Sequence, residues 1–193
     1  MPYTPIIGVL AYVLHPDGRR SGGQDSDDRR PDGGHPDHHR PAGQPDGRRV
    51  LMVFRSRDGD LHRGKYNGLG GKLENDEDVV GCLHRELMEE AGITVTAQRL
   101  RGTISWPGFG AGGEDWFGFV FVVDAFTGEV PARNDDGPLD WVPIARLLGE
   151  GEPLPMWPGD RHFLPLVFDD DPRPFHGVMP YENGEPAGWS YQR

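Results

Sequence analysis

The alternation of apolar and polar positions divides the chain into short segments of two periodicities. Ile6–Leu14 (IIGVLAYVL) and residues 50–55 are apolar runs of strand length, rich in branched side chains. Residues 95–106 (VTAQRLRGTISW) and 115–126 (DWFGFVFVVDAF) also read as strands, joined by the turn-rich 107–113 (PGFGAGG). Between these two pairs the period changes. Val80, Leu83, Leu87 and Ala91 recur at steps of three and four, which predicts a helix over Val79–Ala91 with one apolar stripe. Asp78 is placed to accept from the orphan amides of the first turn, and Gly92 to form a left-handed C-terminal cap. Downstream, 140–143 predicts a short strand, 144–149 a helical turn and 161–168 a second helix. Residues 175–179 and 187–191 are expected to pair across Asn183-Gly184, a hairpin-turn dipeptide. Strands and two helices in mixed order imply an α/β fold, a sheet covered by helices.

One segment has neither period. Of the 34 residues at 16–49 only Ala42 is apolar; seven are Gly, five Pro, seven Asp and seven Arg. Such a stretch cannot bury enough apolar surface to offset its ordering entropy, so it reads as a disordered insertion between the first two strands. His35, His38 and His39 suggest a metal tract by composition. With no rigid frame and no cysteine beside them, a solvated linker is the reading. The remaining residues make one domain, spanning 1–193 with the insertion.

Composition narrows the class of partner. The charges of 16–49 cancel, so the net −11 belongs to the folded remainder. That argues against a nucleic-acid polymer, whose binding rests on Lys and Arg neutralising phosphates. A nucleotide stays open if metal ions carry the positive charge. The single cysteine, Cys82, excludes an internal disulfide and suits a reducing cytoplasm. It lies within the predicted helix, where packing is its expected role. Ile6–Leu14 is too short to span a membrane and has no basic flank, so no membrane association is expected.

The chemistry concentrates in and before the predicted helix. At about 100° per residue, Glu86, Glu89 and Glu90 share a face beside the apolar stripe. Three like charges on one face repel, and Mg²⁺ or Mn²⁺ binding carboxylate oxygens and bridging to phosphates would remove the repulsion. Arg85 can brace one of these glutamates by a charge-assisted contact. A solvated acidic face is the bland alternative. The glycine-rich Asn67-Gly68-Leu69-Gly70-Gly71-Lys72 favours function, since it allows close backbone approach to a ligand and offers Lys72 to phosphate.

With five residues between Gly71 and Glu77 and seven between Glu77 and Arg85, followed by Arg85-Glu86-Leu87, Glu89-Glu90, Gly92 and Ile93, residues 71–93 fill every fixed position of the Nudix hydrolase signature. The chain therefore resembles that family. The resemblance implies an α/β/α sandwich with a mixed sheet, and a metal-dependent enzyme acting on a small-molecule nucleotide as monomer or homodimer. It implies that Glu86, Glu89, Glu90 and the Gly70 carbonyl hold Mg²⁺ or Mn²⁺, one glutamate serving as base. Residues 64–72 (GKYNGLGGK), 156–160 (MWPGD) and 175–177 (FHG) with 189–191 (WSY) are similar to the 8-oxo-dGTP diphosphatases, a nucleotide-pool sanitising branch. By that likeness Asn67 and Asp160 hydrogen-bond the purine, Trp157 stacks on it, and Trp106 lies on the pocket floor. Gly159 replaces a second aspartate of the branch, and Asp136 falls near an extra acidic residue of its metal site. The residues alone leave Trp106 and Trp157 open to be core or rim aromatics, and Asp160 to be a helix N-cap. Rival readings are hydrolysis of another nucleoside diphosphate derivative, such as ADP-ribose or a dinucleoside polyphosphate, and a non-catalytic Nudix ligand sensor.

Overall fold

The computed structural model describes residues 3–16 and 47–193; most of the 16–49 segment, including His35, His38 and His39, lies outside the described residues. The elements in chain order are β1 (Ile6–Leu14), β2 (Arg49–Phe54), β3 (Tyr66–Asn67), α1 (Val79–Ala91), β4 (Thr94–Trp106), β5 (Trp116–Thr127), β6 (Leu139–Pro143), α2 (Ile144–Leu147), α3 (Asp160–Phe168), β7 (Phe175–Val178), β8 (Tyr181–Glu182), β9 (Glu185–Pro186) and β10 (Ser190–Gln192). One eight-stranded sheet runs β10-β7-β4-β5-β1-β2-β3, with β6 also pairing β2. β1 with β5 and β4 with β7 are parallel and the remaining pairs antiparallel, so the sheet is mixed.

Strand alternation builds the two faces. Val9, Ala11 and Val13 of β1, Leu51 and Val53 of β2, and Phe121 and Val123 of β5 pack with Leu83, Leu87 and Ala91 of α1. Their neighbours Tyr12, Val50, Met52, Val120 and Val122 pack on the other side with Phe163, Leu164, Val167 and Phe168 of α3. Because the side-chain period of a strand is two, continuous apolar runs must be covered on both sides. The α/β/α sandwich follows.

α1 begins and ends as its sequence predicts. The Asp78 carboxylate accepts from the amides of Val80 at 2.9 Å and Gly81 at 2.8 Å, and Gly92 closes the helix at φ 64°. One member of the expected stripe is misplaced. Val80, in the first turn, is 37% exposed, and Cys82 is buried with Leu83, Leu87 and Ala91 instead. Burial and the neighbouring Glu77 push the Cys82 thiol up to about 12, which leaves it a packing group.

Two further departures concern turns. The Asn183-Gly184 turn closes only the small β8–β9 ribbon, while the expected 175–179 and 187–191 pairing forms outside it, between β7 and β10. The short β3, which pairs Val53 with Asn67, has too few residues to show a period. Beyond it the chain runs back along β1, with Ala11 donating to the Leu69 carbonyl at 2.7 Å and Val9 to that of Gly71 at 2.9 Å. Any side chain at Gly70 (φ 133°) would run into the Val9 carbonyl, so glycine is required for this approach.

Candidate active site

The glycine loop and α1 meet face to face. Glu90 Oε2 accepts from the Gly70 amide at 2.8 Å, and a side chain at Gly71 would collide with the Glu86 carboxylate. Two of the three predicted glutamates thus lie against the loop backbone. Glu89 stands further out at 61% side-chain exposure, touched by Arg85 Nη1 at 3.3 Å. Arg85 does more than brace one glutamate. Its Nε and Nη2 donate to Glu77 at 3.0 and 2.7 Å, Nη1 to Glu86 at 2.9 Å, and Nη2 to the Lys72 carbonyl at 3.1 Å. Held mainly by Arg85, Glu77 is brought down to about 2. It is the arginine's chief partner, a role that the spacing alone did not assign.

Burial shifts the other carboxyls upward. Glu90 is pushed to about 7, chiefly by loss of solvation and then by the charges of Glu86 and Asp136, with the Gly70 amide and Arg55 opposing. Glu86 is raised by burial, against Arg85. Asp136 is near enough to act on Glu90 electrostatically, but its carboxylate is engaged by Arg55 at 2.7 Å and more distantly by Arg57. Among the described residues no three His, Cys, Asp or Glu side chains are already gathered as a metal cage. Glu86 accepts from Arg85 and Glu90 from the Gly70 amide, each on its own donor. The donor set still fits a divalent cation. It is all hard oxygen, and the buried Glu90 gains from a positive charge that could neutralise it.

Beside this acidic face opens a cavity of about 280 Å³. Its lining includes every predicted substrate residue: Asn67, Lys72, Trp106, Trp157 and Asp160, with Gly70 at the border toward α1. Trp106 lies across β5 at Gly118, where any side chain would meet its indole ring. Trp157 is fixed on several sides. Its Nε1 donates to His62 Nδ1 at 2.8 Å, Lys65 Nζ sits 4.4 Å from the ring centroid, and Phe109 packs edge-on at 5.2 Å. Asp160 is not a helix cap. α3 has no side-chain cap bond, and Asp160 Oδ2 accepts from the Trp157 amide at 3.2 Å instead. Burial raises this carboxyl to about 7, only partly opposed by that amide.

An acid-bearing helix thus lies beneath a glycine loop, next to an aromatic cavity. The NUDIX domain family matches residues 43–167. The chain belongs to the Nudix hydrolase family. Two relatives give the scale of likeness. The Bacillus subtilis protein described as an uncharacterized Nudix hydrolase, YvcI, is 31% identical over 137 residues, 69% of this chain and 79% of its own. An oxidized purine nucleoside triphosphate hydrolase of Danio rerio is 32% identical over 119 residues, 62% of this chain and 71% of its own. Among solved structures, the mutator MutT protein of Bacillus halodurans superposes with a TM-score of 0.66 at 23% identity, covering 96% of this chain and 97% of that one, which shows the shared fold. No helix among the described residues is long and apolar enough to cross a membrane.

As a Nudix hydrolase the protein has more cavity residues than its sequence announced. His62 and Phe109 come from separate loops and Tyr181 from the short strand β8, and the three meet around Trp157. Arg55 Nε holds Asp60 at 2.6 Å, and Asp60 in turn accepts from the His62 amide, so the 57–65 loop is folded onto the cavity. Burial, with Arg55 and Lys65, lowers the His62 pKa and favours the neutral ring, and the indole N–H, which can only donate, fixes Nδ1 as its acceptor.

Proposed function

We propose that the protein is a metal-dependent pyrophosphohydrolase of purine nucleoside triphosphates, with oxidised purines such as 8-oxo-dGTP as its preferred class. One observation carries the reading: the cavity that collects Asn67, Trp106, Trp157 and Asp160 borders Gly70 and Lys72, directly over Glu86 and Glu90. A base held in the cavity therefore places its phosphates on the acidic face. The oxidized purine nucleoside triphosphate hydrolases that the chain resembles, from Danio rerio and, at 30% identity, from Mus musculus, support the choice of substrate.

Glu86, Glu89, Glu90 and the Gly70 carbonyl are the groups that would hold the cation, with Asp136 beside them once Arg55 lets go. Mg²⁺ or Mn²⁺ bound there would supply Lewis acidity toward the phosphate oxygens and help ionise water. Lys72 screens the phosphates, Arg85 fixes the glutamates, and one glutamate takes the proton of the attacking water. Water adds at phosphorus, a bridging P–O bond breaks, and nucleoside monophosphate and pyrophosphate leave. Incubating the protein with a panel of nucleotides in Mg²⁺, with pyrophosphate scored against phosphate release, tests this. Pyrophosphate from purine triphosphates is the expected result. Phosphate release, or turnover only of ADP-ribose or dinucleoside polyphosphates, sinks it.

A further inference from the structure

The polar end of the cavity holds a residue to which no role has been given. Tyr181 lines the cavity and is 7% exposed. Its ring packs edge-on against Phe109 at 4.9 Å, and its amide donates to the Pro107 carbonyl at 2.7 Å. Neither contact uses the hydroxyl. That hydroxyl stands directly over Gly159, where a side chain would collide with it and with the Met179 sulfur. Burial and the Asp160 charge raise the phenol, so the hydroxyl keeps its proton and can donate it. The next residue is Asp160. Its Oδ2 is engaged by the Trp157 amide, while Oδ1 has no donor among the described residues. The two groups are close enough for the Asp160 charge to raise the Tyr181 pKa.

The cavity thus presents a donor and an acceptor side by side between aromatic walls. The complement of that pair is an adjacent carbonyl and N–H, the lactam edge of a 6-oxopurine. Adenine offers the reverse, an amino donor beside a bare ring nitrogen, and leaves both protein groups mismatched. We propose that Tyr181 is a specificity-determining residue, its hydroxyl donating to the 6-carbonyl of an oxopurine whose neighbouring N–H is taken by Asp160. This rests on the reading of the cavity as a purine site.

The test is steady-state kinetics of dGTP and dATP at pH 8, where Asp160 is an ionised acceptor, on the parent and on Tyr181→Phe, which removes only the hydroxyl. The dGTP-to-dATP ratio of kcat/KM should fall about three- to tenfold in the variant, the worth of one neutral hydrogen bond. The change should lie in KM for dGTP, with dATP unaffected. An unchanged ratio, or equal losses on both substrates, overturns the proposal while leaving the purine site intact. A parent that cleaves no purine triphosphate overturns both. Should Tyr181→Phe fail to fold, calorimetry on the parent serves: dGMP must bind more tightly than dAMP, and equal affinities reject the assignment.

Discussion

Two half-buried acids in this protein have been pushed to the same place for different reasons. Glu90 and Asp160 are each raised to about 7, and in both the first cause is loss of solvation. Around Glu90 the secondary influences are charges: Glu86 and Asp136 push it further, Arg55 and the Gly70 amide pull back. Around Asp160 there is one amide, and the neighbourhood is aromatic. A carboxyl among other carboxylates lacks a cation; a carboxyl among rings lacks a hydrogen-bond donor. Glu90 thus sits in a charged neighbourhood and Asp160 in an aromatic one, and on the proposed reading the first end handles charge and the second reads a base.

The strongest way to break the comparison is to remove the charge at the first end. Glu90→Gln and Glu89→Gln should each lower kcat on the order of 10²–10³-fold, the scale seen when one charge-stabilising group is lost. Gln preserves shape and helix propensity. Since Glu90→Gln also removes a buried charge, its thermal midpoint without metal should stay level or rise. Mg²⁺ should raise the midpoint of the parent and do so far less in Glu90→Gln. Activity within a few-fold of the parent in both variants would reject the metal assignment.

The second end depends on how α3 is held. Arg101, 1% exposed, donates to the carbonyls of Val167 and Asp171 at 2.8 Å, Leu166 at 3.0 Å and Asp169 at 3.2 Å, and to the Asp169 carboxylate at 2.8 Å. It satisfies the C-terminal carbonyls of the helix that begins with Asp160. Arg101→Met should destabilise the fold by about 3 kcal/mol, the low end for a broken buried ion pair, because Arg193 still holds Asp169 at 2.6 Å. Urea unfolding measures it. A loss below about 1 kcal/mol would show that solvent replaces the guanidinium, as it does at surface pairs.

These residues also mark what the sequence could tell. α1 was legible to its caps because every signal there is local: an Asp before the helix, steps of three and four, a Gly after it. The strands were legible because both faces of the sheet are buried, which makes continuous apolar runs. Arg101 was not. In the stretch QRLRGT it looks like one more exposed cation, and its burial depends on carbonyls some 65 to 70 positions away. Tyr181, His62 and Phe109 were hidden for the same reason, as residues of loops and a two-residue strand that acquire neighbours only when distant segments converge. Trp157 and Asp160, which line the cavity, were singled out by family likeness, which supplies what periodicity lacks.

A smaller effect distinguishes the acids by pH. Asp160 has its proton up to about 7 in the folded protein and only to about 4 when unfolded. The native state therefore binds more protons between these values, and stability falls as pH rises through the window. Glu90 adds a loss of the same sign. The thermal midpoint of the parent should drop by roughly a few degrees between pH 5 and 8. Asp160→Asn should flatten part of the slope with or without Mg²⁺, whereas Mg²⁺ should flatten only the part due to Glu90. A slope unchanged by Asp160→Asn would mean that this carboxyl is ionised throughout.

The finest distinction is between holding a base and choosing one. Trp157 supplies an aromatic surface, fixed by His62 and Lys65, and stacking tolerates any purine. Trp157→Ala should weaken all purine triphosphates together, by about 1–3 kcal/mol if stacking has its usual strength. Asp160→Asn replaces one acceptor oxygen by a donor at the polar edge. It should change the ratio of kcat/KM between dGTP and dATP by several-fold, because selectivity comes from polar groups left unpaired by the wrong base. The two substrates differ at the edge that Asp160 and Tyr181 face, so both retain the stacking contribution and only the edge contacts vary. Steady-state kinetics on both nucleotides decides the matter. An unchanged ratio in a well-folded Asp160→Asn would remove Asp160 from base recognition and leave it the structural partner of the Trp157 amide.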